Sequence, residues 1–305
     1  MNVNDGSVSA SPTPNVRKWP ISYVVIDRVA RVRELPTTLI LGLVIYGAAI
    51  LGAIAARLAL HNPTTQDLES AYAPIGSGGH LLGADPLGRD VLTWIASSVG
   101  TSLSLSISVV LISATIGVTI GLIAGYFGGL IESVLMRVVD LQLAVPPLLL
   151  FLSAEAVIAP SIPSLVLLLS LVGWVPYARI VRTKVQVERE RASIVAARLA
   201  GSSWVSILYR HLLPATAPMV LVLGSLQLGY VLLWEAGLSF LGFGVQPPDT
   251  SLGFMISQGR SALQDAWWIV VFPGLALTLL VLASNLTGDG LRDALGADVE
   301  VIGRA

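Results

Sequence analysis

The sequence of 305 residues contains no cysteine and few charged residues. The absence of cysteine excludes disulfides, thiolate metal ligands and thiol nucleophiles. Only 12% of the residues are Asp, Glu, Lys or Arg, against about 25% in typical soluble domains. The three histidines, His61, His80 and His211, lie far apart, and no HExxH motif is present. The sequence therefore indicates no metal site and lacks the charged surface that a soluble fold needs.

Two further absences limit the chemistry of the chain. The net charge of −1 gives no bulk attraction to nucleic acid, and we expect no nucleic-acid partner. The two lysines, Lys18 and Lys184, lack the preceding glycines of a phosphate-binding GxxxxGK(S/T) loop. No Ser/His/Asp group and no pair of carboxylates has catalytic spacing. We therefore expect no catalytic residue, no ATP chemistry and no cofactor in this chain.

Apolar residues are abundant and make up 54% of the sequence. A helix that crosses the hydrocarbon core of a membrane needs about 20 mostly apolar residues. Six segments meet this requirement: about 37–60, 102–127, 133–159, 162–181, 215–238 and 267–288. The pattern predicts an all-α polytopic protein with six transmembrane helices over residues 37–305, embedded in lipid and preceded by a partly disordered tail over residues 1–36. Pro146 and Pro147 interrupt the third span and predict a bend there.

Lysine and arginine are unevenly distributed among the loops, and this bias sets the orientation of a membrane protein. The loops after the first and fifth spans contain one cation each, Arg89 and Arg260. Seven cations follow or end the fourth span: Arg179, Arg182, Lys184, Arg189, Arg191, Arg198 and Arg210. We therefore expect both termini and the segment 187–214 in the cytoplasm, and the loops around Asp85 and Pro247 outside.

A polar stretch, VAARLAGSSWVSILYRHLLP (Val195–Pro214), separates two apolar spans. Residues 187–200 predict a charged helix that Gly201 ends, and Ser202 or Ser203 is placed to cap a second helix. Pro214 is expected to open the fifth span. Helical spacing predicts four side chains on one face of the second helix: Trp204, Ile207, Leu208 and His211.

Two interpretations of this stretch are open from its polarity alone: interfacial helices on lipid, or a surface for another protein, which the small side chains of Ala196 and Ala197 would let approach closely. The residue spacing resembles the EAA loop of ATP-binding-cassette importer permeases. Five positions match that loop: Ala196, Ala197, Gly201, Leu213 and Pro214. Val195 stands where the family usually has Glu, and His211 where it usually has Ile.

Three other stretches narrow the resemblance to one family. LGADPLGRDVLT (Leu82–Thr93) is similar to a segment before the second span of dipeptide and oligopeptide permeases. EAGLSFLGFGVQPPDTSLGFM (Glu235–Met255) and NLTGDGLRDAL (Asn285–Leu295) resemble two later segments of the same proteins. Together they identify the chain as similar to the C-type permease subunit of dipeptide, oligopeptide and nickel importers.

This resemblance implies a type I importer permease fold in the bacterial plasma membrane. It implies that short coupling helices within about residues 187–214 dock on two ATP-binding subunits, which hold the ATP and magnesium. It also implies a homologous second permease, an extracytoplasmic substrate-binding protein, and peptides as the cargo. Nickel chelates or haem are alternative cargoes in this family. An ATP-independent secondary transporter is the competing class, although no inverted repeat is visible.

Several polar residues near or within the spans are candidates for specific roles. Glu235 and Glu155 are candidates to line the translocation path, since carboxylates at membrane depth often face water, or alternatively to reach the interface. Arg137 and Asp140 are placed to form a structural ion pair.

The outer-loop signature and a glycine repeat complete the candidates. The signature consists of four residues: Asp85, Gly88, Arg89 and Asp90. We expect its acid–base cluster to fold as a cap over the bundle. Gly117, Gly121 and Gly125 predict close helix packing, either inside the chain or at the seam with a second permease.

Overall fold

The computed structural model describes residues 35–59, 66–155, 157–158 and 160–296, without the side chains of 56–59 and 155. The predicted N-terminal tail lies almost wholly outside these ranges, as do His61 and residues 297–305. Extended pairing in the described residues is limited to two isolated bridges, Ser77–His80 and Ala84–Asp90. The prediction of an all-α fold is confirmed.

The helices follow one another along the chain with short connections. Their bounds are α1 Thr37–Ala59, α2 Val91–Phe127, α3 Gly129–Ala144, α4 Pro147–Glu155, α5 Ile162–Glu188, α6 Ala192–Leu199, α7 Trp204–Ile207, α8 Leu213–Phe240, α9 Leu252–Gly259 and α10 Trp268–Ala294. Single 3₁₀ turns occupy Leu68–Ser70 and Arg260–Ala262, and a π-helical turn over Leu208–Leu212 joins α7 to α8.

Five helical segments are long and apolar enough to cross a membrane: α1, α2, α5, the continuous α7–α8 segment and α10. Helices α3 and α4 are together long and apolar enough for a sixth span, but they are bent by 80° at the break between them, as in a broken span or a re-entrant loop. Val145 before the break is extended, as residues before proline tend to be. The six predicted spans are therefore present if the broken pair counts as one, and the bend at Pro146-Pro147 is confirmed.

Two of the long helices extend well beyond the predicted spans. Helix α2 begins at Val91, eleven residues before its predicted start, because the Asp90 carboxylate caps it by accepting from the Thr93 N–H at 2.8 Å. Helix α5 runs on to Glu188. Hydropathy detects only the part of a helix that is apolar enough to match lipid. It therefore does not predict the polar residues that extend a helix at its ends.

The glycine repeat of α2 packs against α5 within the chain. A Cβ atom added to Gly117 would overlap the Trp174 carbonyl oxygen. One added to Gly125 would lie 2.7 Å from the Cβ of Val185, and Gly121 is crowded in the same way. Of the two predicted uses of this repeat, the structure shows packing inside the chain.

Helix α2 has 37 residues, so its ends are about 55 Å apart. The end where it begins also holds residues 66–90 and α9, and we call it the Asp85 end. The end where it finishes holds residues 189–212, and we call it the Gly201 end. Every functional candidate outside the spans lies at one of these two ends.

Candidate functional site

The segment at the Gly201 end is a helix, a glycine turn and a second helix. Helix α6 ends at Leu199, and Gly201 follows with φ of +80°, a conformation that glycine adopts without steric cost. The Ser203 side chain then caps α7 by accepting from the Ser206 N–H at 3.3 Å. The predicted turn and cap are both present.

The first helix differs from the prediction. Residues 187–200 do not form one helix, because α5 ends at Glu188 and α6 begins at Ala192. The buried Glu188 carboxylate holds the intervening turn, with Lys184 Nζ and Arg191 Nε each at 2.9 Å. Arg189 adds a link to α2 by donating to the Gly125 carbonyl oxygen at 3.0 Å.

An apolar cluster fixes the segment to three long helices. Ile194 of α6 and Ile207 of α7 are buried, together with Leu208 and Leu212 of the π turn. They contact residues of α2, α5 and α8: Leu122, Val181, Val185, Leu213 and Val220. Full burial of such a side chain contributes about 1.5–3 kcal/mol. Helices α6 and α7 are therefore attached to the bundle through packed side chains.

The outward surface of the same segment is also apolar. Leu199 is 85% exposed, Tyr209 is 67% exposed and Trp204 is 50% exposed. Val195 and Val205 lie exposed beside them. We call these five residues the coupling surface. Exposed clusters of large apolar side chains are typical of protein interaction sites.

The sequence-matched residues surround this surface. Ala196 is exposed and Ala197 is half-buried on α6, while Leu213 is half-buried at the start of α8. Of the four side chains predicted to share one face, Ile207 and Leu208 are buried, whereas Trp204 and His211 are exposed. For His211 the π turn accounts for the difference, because its wider winding rotates His211 away from the α-helical position.

Pro214 is the second residue of α8, at the predicted start of the fifth span. The helical segment itself does not begin there, because the π turn joins α7 to α8 and the segment runs from Trp204 to Phe240. Proline lacks the N–H that an α-helix requires of its interior residues and crowds the carbonyl one turn earlier. The π turn before Pro214 accommodates both effects, so α7 and the fifth span form one continuous helical segment.

At the Asp85 end, the outer-loop signature is folded around one buried carboxylate. Asp85 Oδ1 accepts from the backbone N–H groups of Leu87 at 2.9 Å and Arg89 at 2.7 Å. Its Oδ2 accepts from Arg89 Nε at 2.6 Å. The Arg89 guanidinium lies 3.8 Å from the ring centroid of Trp94, at the distance of a cation–π contact. The predicted acid–base cluster between Asp85 and Arg89 is present.

The other two signature residues have separate tasks. Asp90 caps α2 and lies 3.2 Å from His80 Nδ1. Gly88 has φ of +70°, and an added Cβ would overlap the backbone carbonyl of Asp67. The signature is therefore a tight turn that ends in a helix cap.

Glu235 lies fully buried in α8, where its carboxyl group joins three parts of the chain. The Ser102 hydroxyl of α2 donates to it at 3.1 Å, and the Ser239 hydroxyl donates at 2.8 Å. Ser251, which caps α9, lies 3.3 Å from the Ser239 hydroxyl. The Leu252 N–H also donates to Ser102 Oγ at 3.3 Å. The sequence singled out Glu235 as a candidate, but it did not predict the hydrogen bonds from Ser102 and Ser239.

Two further candidates have different outcomes. The side chain of Glu155 lies outside the described residues, and a path-lining role for Glu155 or Glu235 stays a prediction. The predicted ion pair between Arg137 and Asp140 is wrong. Asp140 of α3 instead pairs with Arg179 of α5 at 2.7 Å, since a residue on a facing helix is as close as one a turn away.

Comparison with known proteins agrees with this arrangement. Residues 117–301 match the family described as "Binding-protein-dependent transport system inner membrane component". The dipeptide transport system permease protein DppC of Escherichia coli (strain K12) is 44% identical over 243 residues, covering 78% of this chain and 81% of the relative.

Two other relatives have similar names. The di/tripeptide transport system permease protein DppC of Pseudomonas aeruginosa (strain UCBPP-PA14) is 38% identical over 220 residues, which cover 72% of this chain and 73% of that protein. The dipeptide transport system permease protein DppC of Haemophilus influenzae (strain ATCC 51907 / DSM 11121 / KW20 / Rd) is 34% identical over 252 residues, with coverage of 81% and 85%.

Proposed function

Because the chain belongs to the family of binding-protein-dependent transport system inner membrane components, we propose that it is the permease subunit of an ATP-driven importer of di- and oligopeptides. The family is a multi-pass membrane component of ATP-binding-cassette transporters and is not itself the ATPase. The chain would form one half of the translocation path. A homologous permease would form the other half, and a substrate-binding protein outside the membrane would deliver the peptide.

The observation that best supports this proposal is the difference between the inner and the outer side of the segment at the Gly201 end. Its inner side is packed on α2, α5 and α8, and its outer side exposes the coupling surface. A segment built only to lie on lipid needs no rigid connection to three helices. A segment that transmits motion between proteins needs both a docking surface and that connection.

The coupling works through this connection. Two ATP-binding subunits, which hold the ATP and magnesium, close when they bind nucleotide, and one of them moves α6 and α7. The continuous α7–α8 rod passes the movement to the middle of the membrane. Such rigid-body motion of one element against another is a known route to alternating access. On this proposal the Gly201 end and both termini would lie in the cytoplasm, as the Lys and Arg bias predicts.

The peptide cargo is supported by the names of the relatives, which cover about three quarters of the chain or more. The test is uptake of a labelled dipeptide into proteoliposomes that contain the chain with its partner permease, ATP-binding subunits and binding protein. We expect uptake only with ATP and with all subunits present. Uptake by the chain alone, or no uptake of any peptide, would contradict the proposal.

Gly201→Pro tests the coupling step separately. Proline cannot adopt φ of +80°, so the turn between α6 and α7 must rearrange. We expect dipeptide uptake to fall at least tenfold while the chain still inserts and assembles. Gly201→Ala is the matched control and keeps part of the activity, since alanine tolerates the left-handed region at a cost of about 1–2 kcal/mol. Normal uptake by the proline variant would argue against docking through this turn.

A further inference from the structure

Helix α2 extends from the Asp85 end to the Gly201 end without a proline in its 37 residues. Proline inside a helix removes a backbone hydrogen bond and bends the helix. Helices α5, α8 and α10 each contain such a residue, at Pro176, Pro218 and Pro273. Of these four helices, α2 is the one whose backbone has no such interruption between the two ends.

At the Gly201 end, the last turn of α2 is capped by a side chain from the turn between α5 and α6. The final four carbonyl groups of an α-helix have no partner within the helix. Arg189 Nη1 donates to two of them, the Gly125 oxygen at 3.0 Å and the Tyr126 oxygen at 3.3 Å. The helix dipole also favours a cation at this position. Because α6 begins at Ala192, Arg189 attaches the start of α6 to the end of α2.

Aromatic side chains give the end of α2 further contacts with both short helices. The Arg198 guanidinium of α6 lies 5.6 Å from the ring centroid of Tyr126, within the range of a cation–π contact. The ring centroids of Phe127 and Trp204 are also 5.6 Å apart, and this contact joins α2 to α7. The end of α2 therefore contacts both helices that carry the coupling surface.

Toward the Asp85 end, one hydroxyl group joins α2 to α8 and α9. Ser102 is fully buried. Its hydroxyl donates to Glu235 of α8 at 3.1 Å and accepts from the Leu252 N–H, at the start of α9, at 3.3 Å. Ser98 lies one turn nearer the start of α2 and is also fully buried, but its hydroxyl has no hydrogen-bond partner among the described residues. Ser98 is therefore a matched control for Ser102.

We propose that Arg189 and Ser102 are positioning residues at the two ends of one connection, in which α2 carries a movement of α6 to the start of α9. Ser102 and Gly125 are about 35 Å apart along α2, which exceeds the ~30 Å hydrocarbon core of a bilayer. Coupling over such distances can be carried by a rigid secondary-structure element with packed or hydrogen-bonded contacts at both ends. The inference rests on the proposed function, in which an ATP-binding subunit moves α6.

A double-mutant cycle tests whether the two contacts act together. Arg189→Ala, Ser102→Ala and the double variant are reconstituted with the partner permease, the ATP-binding subunits and the binding protein, and dipeptide uptake per ATP hydrolysed is measured. We expect each single change to lower this ratio at least threefold, and the double change to lower it no further than the larger single effect. Distant, independent sites contribute additively to the free energy, so their fold-losses multiply. A double loss equal to the product of the single losses would overturn the proposal.

Two matched variants separate coupling from a loss of folded protein. Glu190→Ala removes the ion pair with Arg189 but leaves the contact of Arg189 with α2, and Ser98→Ala removes a buried hydroxyl that links no helices. We expect both to keep the wild-type ratio. An unfolded fraction lowers uptake and ATP hydrolysis in proportion, so it does not change the ratio. Equal losses in these controls, or a wild-type ratio for Arg189→Ala and Ser102→Ala, would overturn the proposal.

Two further variants of Arg189 define what the contact requires. Arg189→Lys keeps a cation and a donor at the end of α2 and should recover at least half of the wild-type ratio, and a ratio no better than that of alanine would contradict the role of the cation. Arg189→Gln replaces Arg189→Ala in the cycle if alanine prevents assembly. If the wild-type transporter shows no ATP-dependent uptake of peptide, the proposed function fails. If it transports peptide and all variants keep its ratio, only the connection through α2 fails.

Discussion

At the Asp85 end the connecting segments bury Asp85 and Ser251, whereas at the Gly201 end the connecting segment carries the five exposed residues of the coupling surface. Exposed apolar residues alone do not distinguish the two ends, because Leu68 and Leu81 are exposed at the Asp85 end. Asp85 and Ser251 are fully buried and hydrogen bonded within the chain. Leu199 and Tyr209 are largely exposed, and Trp204 is half exposed beside the ring of Phe127. A network of buried hydrogen bonds specifies a single arrangement, because each broken bond leaves an unsatisfied group. In the proposed function, an ATP-binding subunit covers the exposed coupling surface.

The glycines of the two ends differ in the same way. Gly88 and Gly201 have similar φ of +70° and +80°. A Cβ at Gly88 would overlap backbone, while one at Gly201 would meet no atom within 4 Å. Glycine is therefore required at Gly88 for both conformation and space, and at Gly201 for conformation alone. The Asp85 end is packed around its turn, and the Gly201 end leaves its turn open.

Among the substitutions that test the difference between the two ends, Asp85→Ala is expected to lower the free energy of unfolding most. It removes the partner of the largely buried Arg89 and leaves the Leu87 and Arg89 N–H groups without their acceptor. Breaking a buried ion pair by removing one partner costs about 3–5 kcal/mol. We expect the free energy of unfolding of the detergent-solubilised chain to fall by this order, measured by chemical denaturation. A loss below about 1 kcal/mol would contradict a role in holding the Asp85 end.

Gly88→Ala is expected to have the next largest effect. The added methyl group combines left-handed strain of about 1–2 kcal/mol with overpacking of about 1–3 kcal/mol. The matched Gly201→Ala carries the strain alone and should cost about 1–2 kcal/mol. Melting temperatures of the two variants, compared with wild type, measure the difference. Equal losses would mean that the two turns are not packed differently.

Glu235→Ala tests the link between α2, α8 and the cap of α9. It removes two direct hydrogen bonds from serine hydroxyls, each worth about 1 kcal/mol. We expect a loss of roughly 2 kcal/mol in the free energy of unfolding, and a smaller loss for Glu235→Gln, which keeps an acceptor. Wild-type stability of Glu235→Ala with abolished uptake would instead support the path-lining prediction.

The smallest effect is expected from Glu190→Ala at the Gly201 end. Glu190 is exposed, and its Oε1 contacts Arg189 Nε at 3.0 Å. Exposed ion pairs contribute about 0–1 kcal/mol, so chemical denaturation should give a loss below about 0.5 kcal/mol. Arg189→Ala is the contrasting variant, because Arg189 also donates to the Gly125 carbonyl oxygen. An equal effect of both changes would show that the contact with α2 contributes nothing.

The sequence predicts those parts of the fold whose signals are local. Long apolar runs predict the spans, the Pro146-Pro147 pair predicts the bend, and Gly201 followed by serine predicts the turn and the cap. The start of α2 at Val91 and the end of α5 at Glu188 are missed, since hydropathy measures compatibility with lipid and not helix length. The rotation of His211 is missed because a π turn leaves no periodic signal.

For the candidate sites, too, the sequence predicts local features and misses partners that are distant along the chain. The glycine turn and the serine cap of the segment at the Gly201 end are predicted because their signals are local, and its coupling role stays a prediction. The partners of Glu235 are not predicted, because Ser102 lies 133 residues away along the chain and nothing in its local sequence distinguishes it from the other serines of α2.

The central claim is that the coupling surface docks on an ATP-binding subunit, and site-specific cross-linking tests it most directly. Leu199→Cys, in a chain that has no other cysteine, is modified with a photoreactive thiol probe in the assembled transporter. Leu81→Cys is the matched control, because Leu81 is 65% exposed at the Asp85 end. We predict that Leu199→Cys cross-links to an ATP-binding subunit and Leu81→Cys does not. Cross-linking of Leu199→Cys to lipid alone, or of Leu81→Cys to the ATP-binding subunit, would contradict the account.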